Sequence, residues 1–379
     1  MNPVRVLFVV QYLYHWPHFT PIWSRLQSSE IPVEGYATFA TKDLPEAREL
    51  TQSVLSDAGL EIIAGSDEEE RLEKLDSFTF DLAFAGANSA GFEIIRKRTQ
   101  VVCSMAHGLG TKEAYFKDSP ADADVRFTEG PQHHQALRER YPDLNIALSG
   151  MSKLDPLFDG SDLRIESKLQ KYGIERGRQI ILWAPTFYPS SLEVLHKSVA
   201  KIANSQNYFW ILKPHHFTYF PRQWKYKRQK KLVNTLAKKS KNILLLPPEE
   251  YSILPWLKLA DILLSDTSSV LFEMVAIDKP VIQCDKYGVR LNHRLSPKRL
   301  YKKRLDRKTT EEFDYAIHID SPDQLLPAIR EAFEDPEWLS AGRKTTRENL
   351  FYKLDGHASD RIIETAMQLF ENKSKQATS

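Results

Sequence analysis

Residues 261–282 read DILLSDTSSVLFEMVAIDKPVI. Residues 262–264 form an apolar run of strand length, Asp266, Thr267, Ser268 and Ser269 are helix-start residues, and residues 270–277 are apolar apart from Glu273. The stretch therefore reads as strand, hydroxyl-rich turn, buried helix and second strand over Val281–Cys284. Asp278-Lys279-Pro280 breaks the helix, because proline disfavours helical geometry in the residue before it. A helix that opens with hydroxyls straight after a parallel strand aims unpaired N–H groups and the positive end of its dipole at one point, which suits a phosphate. The same pattern also describes an ordinary strand–helix unit with a Ser/Thr cap.

Outward from this stretch the alternation recurs. Val4–Val10, Val33–Phe39, residues 61–64, 82–85 and 101–105, Val125–Thr128 and Ile146–Leu148 are strand candidates, with helix candidates at Trp16–Gln27 and residues 45–59, 67–76 and 86–98. A charged helix and connector at 164–179 contains Gly177, after which residues 180–183, Phe209–Leu212, residues 243–246, the opening stretch and Ile317–Ile319 resume the strands. This spacing implies βαβ units and an α/β fold of parallel, doubly wound sheets. A chain of 379 residues suits two such domains, each burying its own core. The expected division is 1–177 and 178–358, with residues 359–379 a C-terminal helix and tail long enough to pack back across a neighbouring domain.

With 42% hydrophobic residues the composition is globular, and the only two cysteines, Cys103 and Cys284, lie in apolar strand-like runs. Neither a disulfide framework nor a zinc cluster is available, which points to a reducing compartment. The N-terminal VRVLFVV is too short for a signal-peptide core, and no apolar run reaches the length of a membrane span. The expectation is a cytoplasmic protein, with peripheral attachment to the inner face of the membrane as an addition. The net charge of +2 hides a segregation: residues 222–241 carry nine Lys/Arg and no acid, and residues 290–308 carry nine Lys/Arg with Asp306 alone opposing them. Such runs describe a solvated face, but Trp224, Tyr226, Leu300 and Tyr301 among them also suit an anionic membrane surface or a polyanionic acceptor. Nucleic acid is disfavoured because no binding motif accompanies the charge.

Ligands on doubly wound sheets sit at the carboxyl ends of strands. His107-Gly108-Leu109-Gly110-Thr111-Lys112 follows one such end. The imidazole suits proton abstraction from a hydroxyl, the glycines allow close backbone approach, and Lys112 can pair with a phosphate. The glycine spacing of a P-loop is absent. Lys213 and His215 follow the strand at Phe209–Leu212 and can supply positive charge to a pyrophosphate opposite Ser268 and Ser269. The neighbouring pairs His133-His134 and His215-His216 lack metal-ligand spacing, so no metal site is assigned. Asp122-Ala123-Asp124 is read as a loop, and no Ser/His/Asp triad is indicated.

Taken together, these residues resemble the CDP-glycerol glycerophosphotransferases of the teichoic acid polymerase type. The resemblance rests on HG-x-x-x-K at His107, Gly108 and Lys112, G-x-x-x-x-D at Gly150 and Asp155, APT at Ala184, Pro185 and Thr186, and K-x-H at Lys213 and His215. It is completed by Asp266-Thr267-Ser268-Ser269 and by DG-x-A-S at Asp355, Gly356, Ala358 and Ser359. Thr267 replaces the family's usual tyrosine and His216 its proline. The resemblance implies a GT-B architecture, two Rossmann-like domains facing an interdomain cleft. It also implies transfer of a glycerol-phosphate-type unit from a CDP-alcohol to a hydroxyl of a cell-surface glycan or lipid-linked acceptor, with release of CMP. In that frame His107 and His215 are catalytic, and Lys213, Thr267, Ser268 and Ser269 hold the donor phosphates. Pro185, Thr186 and Glu273 lie by the nucleotide or ribose, and Gly108, Lys112 and Asp155 serve the acceptor or its loop. No tightly bound cofactor is implied; Mg2+ is compatible with the diphosphate, though no cage for it is encoded. Two alternatives stand beside this reading: a GT-B glycosyltransferase using a UDP- or GDP-sugar, and a non-catalytic protein that binds an anionic polymer or membrane.

Overall fold

The computed structural model describes residues 2–86, 91–106, 108–109, 123–288 and 314–378. His107, Lys112, Asp122 and the basic stretch 290–308 lie outside the described residues. By their contacts the residues form two compact units, dividing after Gly160, with the chain returning to the first unit at Glu348. The change of unit thus comes earlier than residue 177, and the returning segment begins earlier than residue 359.

The first unit carries β1 (Val4–Val10), β2 (Val33–Phe39), β3 (Glu61–Ile62), β4 (Phe80–Gly86), β5 (Thr99–Met105), β6 (Val125–Thr128) and β7 (Ile146–Leu148). All pair in parallel, in the order β3-β2-β1-β4-β5-β6-β7. A parallel strand covered by helices on both faces needs apolar side chains on both. The run VRVLFVV meets that need: every residue of β1 except Arg5 is buried. Phe8 stacks on Phe84 at 5.5 Å and meets Trp16 edge-on at 5.7 Å, fixing helix Trp16–Gln27 to the sheet.

The second unit carries β8 (Ile180–Ala184), β9 (Phe209–Leu212), β10 (Ile243–Leu245), β11 (Ile262–Ser265), β12 (Val281–Cys284) and β13 (Ile317–Ile319). Its order, β10-β9-β8-β11-β12-β13, repeats that of the first six strands of the other unit, again in parallel. Trp183 and Trp210 sit fully enclosed in its core with Ile181, Leu264 and Ile282. Both cysteines are buried and unbridged, in β5 and β12.

The C-terminal helix Ala358–Thr378 packs on helix Trp16–Gln27 and on β5 of the first unit. It is longer than its amphipathic core of residues 361–370 indicates, because its ends are tied by specific bonds. Lys373 pairs with Asp124, and Ser374 accepts a hydrogen bond from Gln100 at 2.9 Å. Asp124 also takes Arg96 at 2.9 Å and the N–H of Val102 at 2.7 Å, so this carboxylate is a structural tie.

Candidate functional site

In the second sheet the strand order reverses between β8 and β11, since β8 leads outward to β9 and β10 on one side and β11 to β12 and β13 on the other. The loops leaving the two strands at such a switch point diverge and open a crevice at their carboxyl ends. Here the loop after β8 runs through Pro185 and Thr186 to Ser191, where helix Leu192–Ser205 begins; that after β11 runs from Asp266 to Ser269 into helix Val270–Ala276.

Asp266 joins these loops. It is fully buried, and its carboxylate accepts hydrogen bonds from the Thr186 N–H at 2.9 Å, the Ser191 N–H at 2.7 Å, the Ser191 hydroxyl at 2.7 Å and the Ser190 hydroxyl at 3.3 Å. One of these donors is on Oδ1 and three are on Oδ2, so the carboxylate is engaged within the protein through both oxygens. Burial raises its pKa, and the four donors oppose that shift without cancelling it. The motif aspartate is therefore a staple that positions the crevice walls. The Ser265 hydroxyl adds a second tie, donating to the Ala184 carbonyl at 2.6 Å.

Beyond the staple, the Thr267 hydroxyl is bonded to the Tyr287 hydroxyl. Ser268 and Ser269 are half-buried, and their hydroxyls make no hydrogen bond among the described residues. Glu273 is 1% exposed, enclosed within the second unit. Pro185 is buried, and Thr186 is half-buried.

After β9, Lys213 donates from its ammonium to the Glu250 carbonyl. The Glu250 carboxylate meanwhile pairs with Lys168 and accepts from the Tyr172 hydroxyl at 3.0 Å. His215 accepts the Phe217 N–H on Nδ1 at 3.2 Å and lies against Phe187 of the β8 loop, ring centres 4.6 Å apart. With Nδ1 accepting, the neutral ring carries its proton on Nε2, where it can be donated to an oxygen. The structure thus gathers Thr186, His215, Thr267, Ser268 and Ser269 on loops at the same edge of the sheet, and gives Lys213 a bond to the loop after β10.

Sequence reasoning did not find Ser190, Ser191, Glu193 or Tyr287. Glu193, in the first turn of helix Leu192–Ser205, accepts from Gln229 at 3.1 Å through one oxygen, while the other is enclosed without a partner among the described residues. Burial pushes its pKa up to about 7, with the nearby Asp266 charge contributing. Gly288 lies on it so closely that a Cβ there would stand 2.7 Å from the Cβ of Glu193. Of these four residues only the Ser190-Ser191 pair before a helix leaves a trace in the sequence, as a cap signal.

In the first unit, Gly108 is buried. Asp155 is 3% exposed and accepts the N–H groups of Ala358 at 3.0 Å and Ser359 at 2.7 Å. Two motifs some two hundred residues apart in the chain therefore form one joint, with Asp155 satisfying the orphan donors that open the C-terminal helix. Gly150 belongs to it as well: at φ +89° it adopts a conformation that favours glycine, and a Cβ would lie 2.6 Å from the Tyr352 carbonyl. Arg361 closes the joint by donating to the Ser149 carbonyl at 2.7 Å and pairing with Asp355. His133 and His134 have separate partners: His133 Nδ1 meets the Glu129 carboxylate at 2.6 Å, and His134 meets the Thr128 hydroxyl at 3.1 Å. Among the described residues no group of three His, Cys, Asp or Glu side chains is placed to hold a metal ion.

Comparison with known proteins agrees with this layout. The family model for CDP-Glycerol:Poly(glycerophosphate) glycerophosphotransferase matches residues 131–368. No curated protein gives a significant match. Among solved structures, the wall teichoic acid polymerase TagF is similar with a TM-score of 0.67 at 12% identity, covering 99% of this chain and 90% of that one. UDP-GlcNAc 2-epimerase from Neisseria meningitidis, solved bound to UDP-GlcNAc, is similar with a TM-score of 0.65 at 15% identity, covering 96% of this chain and all of the other. At such identities these likenesses bear on the fold, two Rossmann-like units of the GT-B class. The family match spans well over half of the chain, so the chain belongs to the CDP-glycerol:poly(glycerophosphate) glycerophosphotransferase family and is a CDP-glycerol-dependent transferase.

Proposed function

We propose that the second unit holds CDP-glycerol with its diphosphate on the loops after β8, β9 and β11, and that the acceptor is a hydroxyl of a cell-surface glycan or lipid-linked chain. The observation that carries the donor assignment is the Asp266 staple, which fixes two loops at the switch point and, among the described residues, leaves the hydroxyls of Ser268 and Ser269 without partners of their own. Those hydroxyls, Thr267, the ammonium of Lys213 and Nε2–H of His215 are the donors suited to phosphate oxygens. Pro185 and Thr186 flank the nucleotide, and Glu273 supports the ribose side. Any Mg2+ the reaction uses enters with the diphosphate.

In this reading the acceptor oxygen attacks the phosphorus that carries glycerol, in line with the bridging oxygen. The new P–O bond forms as the bond to the bridge breaks, and CMP departs with that oxygen. His107 receives the hydroxyl proton, and Gly108 and Lys112 shape the loop around it. The cations of residues 222–241 and 290–308 bring the enzyme to an anionic membrane surface, on the inner face of the cell membrane. Among the described residues no helix is long and apolar enough to cross a membrane.

The test is thermal unfolding against CDP-glycerol, CDP-ribitol, CMP and UDP- and GDP-sugars. A ligand at about a hundred times its Kd adds about 2.7 kcal/mol, or roughly 5 to 10 °C for units of this size. A selective rise with CDP-alcohols is expected, and His107→Ala should keep that rise while losing turnover. A rise confined to UDP- or GDP-sugars would overturn the donor assignment, and full turnover in His107→Ala would remove that histidine from the chemistry.

A further inference from the structure

A second charged cluster lies in the first unit, bordering the joint around Asp155 through Ser149 and Gly150. Glu129 directly follows β6, at the carboxyl end of the sheet, and is 6% exposed. It lines a small cavity with His18, Ala106, Ser149 and Ser152 whose free space, about 10 Å³, is near what a single water molecule needs. Ala106 immediately precedes His107.

The carboxylate is held from one side. Its Oε2 meets His133 Nδ1 at 2.6 Å, one turn along helix Pro131–Arg140. Arg126, 2% exposed on β6, contributes a further positive charge, and among the described residues its Nε is enclosed without a hydrogen-bond partner. Although burial raises the pKa of Glu129, His133 and Arg126 outweigh it and hold the carboxyl below its ordinary range, so the group is an anion at neutral pH. The carbonyls of this turn have partners of their own: the Glu129 carbonyl accepts the Tyr352 N–H at 2.8 Å, and the Gly130 carbonyl accepts the His134 N–H at 3.0 Å. A fixed anion on a residue that lines a hydroxyl-sized space at a strand's carboxyl end has the chemistry to receive a polyol hydroxyl, because a carboxylate accepts hydrogen bonds strongly and donates none.

We infer that Glu129, positioned by His133, binds a hydroxyl of the acceptor's terminal polyol in the first unit. This rests on the proposed reaction and adds the group that selects its acceptor. It is a binding residue: the proton of the attacking hydroxyl is not assigned to it, and no bond is made or broken at it.

The test is Glu129→Gln in the full chain, which keeps the size of the side chain and a bond to His133 but removes the charge. Label transfer from CDP-glycerol is measured with membranes of the source organism as the acceptor supply, and donor binding is followed separately by thermal unfolding with CDP-glycerol. The expected result is at least a tenfold rise in the KM for acceptor membranes with the stabilisation by CDP-glycerol unchanged. Should Glu129→Gln fail to fold, Glu129→Asp, which keeps the charge on a shorter arm, should show the same split in smaller measure. An unchanged acceptor KM in whichever variant folds overturns the inference while leaving the donor assignment intact; absence of CDP-glycerol stabilisation in the wild type overturns both.

Discussion

Two acids at the donor-side crevice are buried for different ends. Asp266 has four donors and acts as a staple, whereas among the described residues Glu193 accepts from Gln229 and keeps an enclosed oxygen without a partner. Desolvation disfavours the charged form of both, and it pushes Glu193 up to about 7. The sign of its effect on stability follows from linkage. Below pH 4.5 the side chain is protonated in both folded and unfolded chains, and its contribution is fully present. Between pH 4.5 and about 7 the unfolded chain releases the proton while the folded chain retains it, so stability is lost as pH rises. The size of that loss is on the order of 3 kcal/mol. Glu193→Gln removes the titration: relative to wild type, the variant should gain stability between pH 5 and pH 8 in urea unfolding. An equal difference between the two proteins at both pH values would mean that Glu193 is ionised throughout.

At the scale of elements, the C-terminal helix is capped by a side chain from a distant part of the sequence, Asp155. Its first N–H groups point into the protein, where water cannot satisfy them, and Asp155 accepts two of them. Asp155→Ala should cost about 2 kcal/mol. The loss should appear as amide exchange about 30-fold faster in the first turn of helix Ala358–Thr378, and protection unchanged there would show that Asp155 is not the cap. This joint also marks the limit of what the sequence discloses. Short runs between turn signals defined β1, β2, β6, β7, β9, β12 and β13 to the residue, and the most apolar of them, VRVLFVV and FWIL, are buried almost throughout, as strands covered on both faces require. Helix Pro131–Arg140 is largely polar and buries only Leu137, so it offers no apolar stripe to read. The partners of Asp155, Asp266 and Glu129 were likewise illegible. A carboxylate beside a turn looks alike whether its donors come from a distant helix, a neighbouring loop or a ligand. Thr186, His215, Thr267, Ser268 and Ser269 were legible as a group, since each follows a strand and the doubly wound order brings those strand ends to one edge.

At the scale of the whole molecule, the near-neutral total conceals a strongly basic surface. Helix Trp224–Lys239 turns Tyr226, Gln229, Val233 and Leu236 inward and leaves Lys227, Arg228, Lys230, Lys231, Lys238 and Lys239 exposed, with Trp224 58% exposed at its start. Its apolar face is already buried, so it would attach to a bilayer by its charges, with the indole as an interfacial anchor. Attraction of this kind is worth about 1 kcal/mol per Lys or Arg near an anionic surface, and salt screens it within roughly 8 Å at physiological strength. The protein should therefore sediment with vesicles of mixed phosphatidylglycerol and phosphatidylcholine, not with phosphatidylcholine alone, and should dissociate as salt is raised. Replacing Lys227, Arg228, Lys230 and Lys231 with Gln removes four of these charges and should weaken vesicle binding on the order of a thousandfold. CDP-glycerol stabilisation should be unaffected, since none of the four belongs to the donor loops. Equal sedimentation with both kinds of vesicle, or binding that ignores salt, would reassign these cations to a solvated face.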